Sequence, residues 1–324
     1  MLKLLFRRVL QSIPLLLAIS AVTFFLLFHS PGNYLSALKQ NPKYSDATIA
    51  LMTKQMGLDK PWYSVWGHWV WRVVTKADLG MTLAEQRPVI SVLKERLFGT
   101  FILAFAATVF AWVIGMPLGM VAAVRHDRWP DRIASGIAFF GLSIPSVLLA
   151  MLCVYFASVS GWFPTGQMTG EDAHPELRSR WHNFVTISHH LVLPAFTLGM
   201  GMLAVYTRQM RSNLLETLQA DYLRTALAKG LTTRAAVFKH ALRNALNPLI
   251  TLFGFSISEL LSGAILVESV FAWPGLGRVT IEAYHMKDMF LVASAVIMGA
   301  VMLIIGNFIA DILLAANDPR IRYE

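Results

Sequence analysis

A chain of 324 residues that is 56% hydrophobic and only 15% charged, with a mean hydropathy of +0.54, lies outside the composition of an ordinary soluble domain. Its single cysteine, Cys153, excludes a disulfide framework or a cysteine metal site within the chain and reads as a small packing residue. The net charge of +9 reads as membrane topology and contact with an acidic lipid surface, which leaves no reason to invoke nucleic acid.

Six apolar windows are long enough to cross the hydrocarbon core as helices. They run roughly 9–28, 99–124, 133–160, 188–207, 246–271 and 290–314. The first follows Lys3, Arg7 and Arg8, yet it is too long for a signal peptide and the HSPGN after it offers no A-x-A-like cleavage site, so it reads as a retained anchor. With the amino terminus inside, the inner segments hold 15 of the 28 lysines and arginines and the two short outer loops hold four. The nine in the long segment 29–97 do not count toward orientation. Both termini are therefore expected in the cytoplasm.

The segment 29–97 is too polar to insert and too long for a plain turn, so it is expected to carry structure outside. Within it, PWYSVWGHWVWRVV spaces Trp62, Trp66, Trp69 and Val73 by four, three and four. That is one face of a helix, expected on the outer leaflet or against the outer ends of the bundle. Packing is the plain reading of such a stripe and an aromatic docking site the functional one.

In the second window, IGMPLG sets Pro117 between two glycines, a break that a bundle tolerates where neighbours satisfy the backbone. In the third, GLSIPS sets Pro145 between Ser143 and Ser146. Kinked helices with small polar residues line pathways, and small residues equally permit close helix packing; the sequence leaves both open. Near the third outer loop, His174, His182, His189 and His190 gather close to Asp172 without the tight spacing of a preformed nickel or zinc site. No P-loop, H-E-x-x-H or G-x-S-x-G motif occurs, so no catalytic, cofactor or metal residue is assigned and the driving energy is expected from elsewhere. No repeat or duplicated half is visible.

Between the fourth and fifth windows lies DYLRTALAKGLTTRAAVFKHALRNALNPLIT, residues 221–251. It reads as a short helix with Leu223, Ala226 and Leu227 on one side, ended by Gly230. A second helix, capped by Thr233, buries Val237, Phe238, Ala241, Leu242 and Ala245. A compact helix–turn–helix unit thus projects into the cytosol, to rest on headgroups or to fit a cleft on a soluble partner. In the fifth window, Glu259 is an ionisable group near mid-membrane, expensive there, and stands as a pathway residue or a polar contact between helices. Glu268 and Asp311 lie nearer the ends of their windows, where interfacial water is in reach.

The ordered set RTALAKG, HALRNALNPLIT, LLSGAILVESVFAWPGLGR and DPRIRY resembles the inner-membrane permeases of ABC importers for dipeptides and oligopeptides, a group that includes nickel and glutathione permeases. RRVLQSIPLLLAISAVTFFLL, QMGLDKPWY, DLGMTL, RPV and IGMPLGMVAAVRHDRWPDR extend the likeness over nearly the whole chain. The resemblance implies an all-α integral membrane protein of the bacterial inner membrane, with six transmembrane helices and the type I ABC importer permease fold. Its expected divisions are an anchor over 1–28, an extracytoplasmic segment over 29–97, a five-helix core over 98–316 holding the coupling loop 208–245, and a cytoplasmic tail over 317–324. Ala226 and Gly230 would transmit closure of an ATPase pair, with Tyr222, Arg224, Thr225, Lys229 and Leu231 completing the coupling surface. The broader importer class often carries a glutamate and two alanines where this chain has Arg224, Thr225 and Ala226, and a proline where it has Arg243; the peptide subgroup shares this variant.

The implied partners are a second homologous permease, two ATPases that bind the ATP and magnesium, an extracytoplasmic binding protein, membrane lipid and a peptide substrate. Ser143, Pro145, Ser146, Glu259 and Ser262 are the candidates for the translocation pathway, and Glu268, Trp273 and Pro274 for an outer gate. Nickel or glutathione is the alternative cargo. From another class, an ion-driven secondary carrier would use Glu259 as its proton site.

Overall fold

The computed structural model describes residues 2–30, 51, 53–54, 59–83, 85–169 and 179–317, with the backbone alone over 2–9, 254–263, 313–317 and at some other helical positions. Among these residues the fold is helical, apart from one isolated antiparallel bridge between Met81 and Pro88. Two compact units emerge: Met1–Phe98 with Gly275–Ile304, and Gly99–Pro274 with Ile305–Glu324.

In the first unit, α1 (Leu2–His29) carries the first apolar window and α2 (Trp62–Lys76) packs along it. Trp66 Nε1 donates to Ser20 Oγ at 2.9 Å, and the Phe24–Trp69 and Phe25–Trp62 ring centroids lie 5.3 and 5.5 Å apart. Ser20 sits eight residues inside the carboxy-terminal end of the window, about 12 Å along the helix. The stripe Trp62, Trp66, Trp69, Val73 therefore packs along the carboxy-terminal half of α1, and its indoles are occupied by packing. Ala77, at φ 50°, ends α2 in the left-handed region. α10 (Leu276–His285) and the first part of α11 (Met289–Asn317) complete the unit around Trp69, Val89, Leu93, Val279 and Phe290. Asp288, fully buried, accepts from Leu83 N at 2.6 Å and Leu291 N at 3.1 Å and so ties the loop after α2 to the start of α11.

The second unit is built around α6 (Arg180–Gln219), whose amino end is capped by Ser179 Oγ accepting from His182 N at 3.1 Å. α3 (Val89–Val124) runs unbroken through Pro117. The flanking glycines form the seam with α6: a Cβ on Gly119 would fall 2.5 Å from Thr207 O and one on Gly115 2.9 Å from Leu203 O, while Thr207 Oγ1 donates to Gly115 O at 3.1 Å. In this window the small residues serve close packing.

The third window is not one straight span. It divides into α4 (Trp129–Ser143) and α5 (Ser146–Ser160), bent by 100°. Pro145 causes the break, because the residue before a proline is driven from the helical region; Ile144 stands at φ −91°, ψ 122°. Each half is about 22 Å long, short of the hydrocarbon core. α4 buries Asp131, Ala134, Ala138 and Gly141, and α5 buries Ala150, Cys153 and Ala157, both at helical spacing.

After α6 come α7 (Asp221–Ala228), the short α8 (Thr233–Ala236), a π turn over Val237–Ala241 and α9 (Leu242–Val270), whose backbone covers the fifth window. Among the described residues four helices are long and apolar enough to cross a membrane, or five if the bent pair is one span.

Candidate functional site

Ala220 leaves α6 in an extended conformation, and the chain restarts as α7. Leu223, 2% exposed, holds α7 on the core of the second unit, and Leu231 packs half-buried on the same core. Tyr222, Arg224, Thr225, Lys229 and Gly230 face outward and Ala226 is half-buried. The side chain of Leu227 lies outside the described residues. Lys229 N donates to Thr225 O at 3.1 Å and Leu231 N to Ala226 O at 3.3 Å, closing α7 with Gly230 at φ +88°. The loop presents an apolar root and a basic, hydroxyl-bearing outer face.

Two details differ from the sequence reading. The cap of the second helix is Thr232, whose Oγ1 accepts from Ala235 N at 3.3 Å, because Thr233 already belongs to the helix. Phe238 is 59% exposed, although Val237 and Ala241 are buried as expected. The π turn supplies the reason: its wider pitch shifts the phase of the helical face and turns Phe238 outward.

A set of polar ties joins this unit to the helices around it. Asn244 Nδ2 donates to Tyr222 Oη at 3.0 Å, linking α9 to α7. Asn213 Nδ2 donates to Ala245 O at 3.1 Å, linking α6 to α9. Arg211 Nε and Nη2 donate to Asp131 Oδ1 and Oδ2 at 2.6 and 2.9 Å, linking α6 to α4. Asp131 stands two residues ahead of the third window, and the Arg211 guanidinium holds its carboxyl down at about 2. These contacts link α7 to α9, α9 to α6 and α6 to α4 in sequence. Sequence reasoning missed Asp131, Arg211, Asn213 and Asn244. The charges read as topology signals, and nothing in linear spacing pairs positions 80 apart.

The gate candidates fall in a second cluster of the same unit. Glu268 is fully buried, not in reach of interfacial water as its place near the window's end suggested, and Thr100 Oγ1 lies 2.7 Å from its Oε1. Trp273, also fully buried, donates from Nε1 to Gly99 O at 2.8 Å and from its backbone N to Glu268 O at 2.8 Å. A Cβ on Gly99 would fall 2.2 Å from Pro274 O. The end of α9 and the early part of α3 thus form a clasp that satisfies polar groups shut away from water.

Of the pathway candidates, Ser143, Pro145 and Ser146 come together at the α4–α5 break, with Ser143 Oγ donating back to Phe139 O at 2.8 Å. The side chains of Glu259 and Ser262 lie outside the described residues. So do His174 and Asp172. Two other loop histidines are held by carbonyls, His189 Nε2 at 3.0 Å from Trp162 O and His190 Nδ1 at 2.8 Å from Thr186 O. Among the described residues, the side chains close enough to share a metal are His126, Asp127 and Asp131, and there Arg211 already occupies Asp131.

Residues 115–323 match the family described as binding-protein-dependent transport system inner membrane component, and residues 1–108 match the amino-terminal family of the same membrane components. The chain is 37% identical to the oligopeptide transport system permease protein AppB of Bacillus subtilis (strain 168), over 98% of both chains. It is 36% identical to the glutathione transport system permease protein GsiC of Escherichia coli (strain K12), over the whole of both. Its fold matches a chain of the inward-facing MetNI methionine ABC transporter with a TM-score of 0.56 at 19% identity, covering 70% of this chain and 96% of that one.

Proposed function

This chain belongs to the inner-membrane components of binding-protein-dependent transport systems, and we propose that it is the permease subunit of an importer for di- or oligopeptides. The observation that carries the coupling mechanism is α7, rooted by Leu223 and tied through Tyr222, Asn244, Asn213 and Arg211 to α9, α6 and α4. A surface helix fastened in this way moves the bundle when a partner moves it.

The partner is an ATPase subunit in the cytoplasm, one of two, which seats Tyr222, Arg224, Thr225, Ala226, Lys229, Gly230 and Leu231. A second homologous permease completes the pathway, and an extracytoplasmic binding protein delivers the peptide to the long segment 29–97 and to the loops 161–183 and 272–289. The transport cycle is alternating access, with ATP binding favouring the outward-facing state and hydrolysis resetting it. Each shift requires contacts that differ between the two states, and those at α7 supply the difference. Ser143, Pro145 and Ser146 at the α4–α5 break, together with Glu259 and Ser262, border the pathway. Glu268, Trp273 and Pro274 form the outer gate. The six apolar windows support six spans, and the distribution of lysine and arginine supports both termini in the cytoplasm. The divisions of the chain are the anchor 1–28, the outer segment 29–97, the core 98–316 and the tail 317–324.

The test is ATP-dependent uptake of a labelled dipeptide into vesicles holding the two permeases, the two ATPases and the binding protein. Competition by glutathione decides between the two cargoes that the names of the relatives suggest. Nickel transport would require the binding protein to take the metal and refuse peptides. Uptake by this chain alone, driven by an ion gradient without ATP, would replace the reading with a secondary carrier.

A further inference from the structure

The turn between α3 and α4 is small, internally hydrogen-bonded and cationic. Arg125 N donates to Val121 O at 3.0 Å and Arg128 N to Arg125 O at 3.1 Å, while Asp127 stands at φ 60° and donates from its N to Asp131 Oδ2 at 3.0 Å. Arg211 pins that same carboxylate from α6, so the turn is braced against the core of its unit. On this frame Arg125, Arg128 and Arg132 all point outward, and none of them has a carboxylate partner among the described residues. The turn's exposed carboxylate, Asp127, lies with Oδ2 2.8 Å from His126 Nδ1. Three cations therefore face outward against one carboxylate.

The same turn carries an interfacial marker. Trp129 is 73% exposed, with the Arg132 guanidinium 5.9 Å from its ring centroid. Exposed apolar side chains adjoin it on both helices, Val121 and Val124 at the end of α3 and Ile133 at the start of α4. An indole at the edge of an apolar belt sits at headgroup level, and an arginine cluster beside it meets phosphate.

We propose that Arg125, Arg128, Arg132 and Trp129 form a binding surface for acidic phospholipid, the arginines holding the phosphate and the indole lying among the upper acyl carbons. The occupant follows from charge and depth together: three cations without carboxylate partners, framed by apolar side chains, fit an anion that carries its own hydrocarbon. The inference stands apart from the transport reading, since it needs only that the turn meet a headgroup layer.

The experiment uses the assembled transporter in phosphatidylcholine vesicles containing some phosphatidylglycerol, with bromine on the acyl chains of one lipid or of the other. The emission due to Trp129 is obtained by difference against Trp129→Phe. It is expected to be quenched by brominated phosphatidylglycerol in preference to an equal amount of brominated phosphatidylcholine. Each cation near the surface contributes a factor of about five, so three of them, offset in part by Asp127, give a preference of roughly tenfold or more. Added salt should erode that preference in the wild type, and Arg125→Gln/Arg128→Gln/Arg132→Gln should abolish it. Equal quenching by the two lipids would overturn the proposal, leaving an anchor with no headgroup choice. Absence of quenching by either lipid would overturn it as well, by showing the turn covered by protein, and so would a preference that survives loss of the three arginines.

Discussion

Gly230 holds α7 closed at φ +88°, and nothing lies within 4 Å of where a Cβ would stand. Gly230→Ala therefore meets backbone strain alone, about 1 kcal/mol, and should lower uptake only modestly. Gly230→Pro fixes φ near −65° and cannot adopt this turn, so uptake should be lost. The Asp131–Arg211 pair behaves differently, since it acts through charge. The carboxyl of Asp131 is held at about 2, below its ordinary value of 3.8, so the stability it contributes is present in full above that ordinary value and is lost as pH falls through about 2. Thermal unfolding of the wild type against Asp131→Asn should show a constant gap of roughly 2 kcal/mol from pH 5 to 8, narrowing toward pH 2. A gap that widens with acid would contradict the pairing.

At the scale of elements, the clasp between α3 and α9 is the part most open to dissection. Thr100→Val deprives the buried Glu268 carboxyl of one partner and should cost about 1–3 kcal/mol in unfolding of the purified subunit, whereas Thr100→Ser should stay close to the wild type. In α2 the contrast is between faces: Trp69→Ala, at a site 3% exposed, should cost about 3–5 kcal/mol, and Trp71→Ala, at a site 66% exposed, far less. The two-faced helix illustrates what periodicity tells. Spacing placed Trp62, Trp66, Trp69 and Val73 on one face, and the structure packs that face on α1. Periodicity is silent on what covers a face, and it cannot see a π turn, which depends on local hydrogen bonding; hence the misplacement of Phe238. Pro145 was legible as a kink, yet the 100° angle was not, because a proline ends one helix without dictating the direction of the next.

For the whole molecule, membrane character, the helix-turn-helix loop and family membership were all legible in composition, window length and ordered motifs. The polar ties were not, because Arg211 meets Asp131 and Thr100 meets Glu268 only when distant stretches fold together. Orientation is a separate prediction. In a Cys153→Ala background, Thr165→Cys should react with an impermeant thiol reagent in intact cells, and Lys229→Cys only after permeabilisation; the reverse pattern would invert the topology.

Coupling of ATP hydrolysis to the membrane helices through α7 is the proposal on which the rest depends. Its most direct test is ATP-dependent dipeptide uptake by the reconstituted transporter, comparing wild type with Gly230→Pro while assembly is monitored in the same vesicles. Uptake is expected from the wild type and none from the variant, with the complex intact. Undiminished uptake by Gly230→Pro would contradict that coupling.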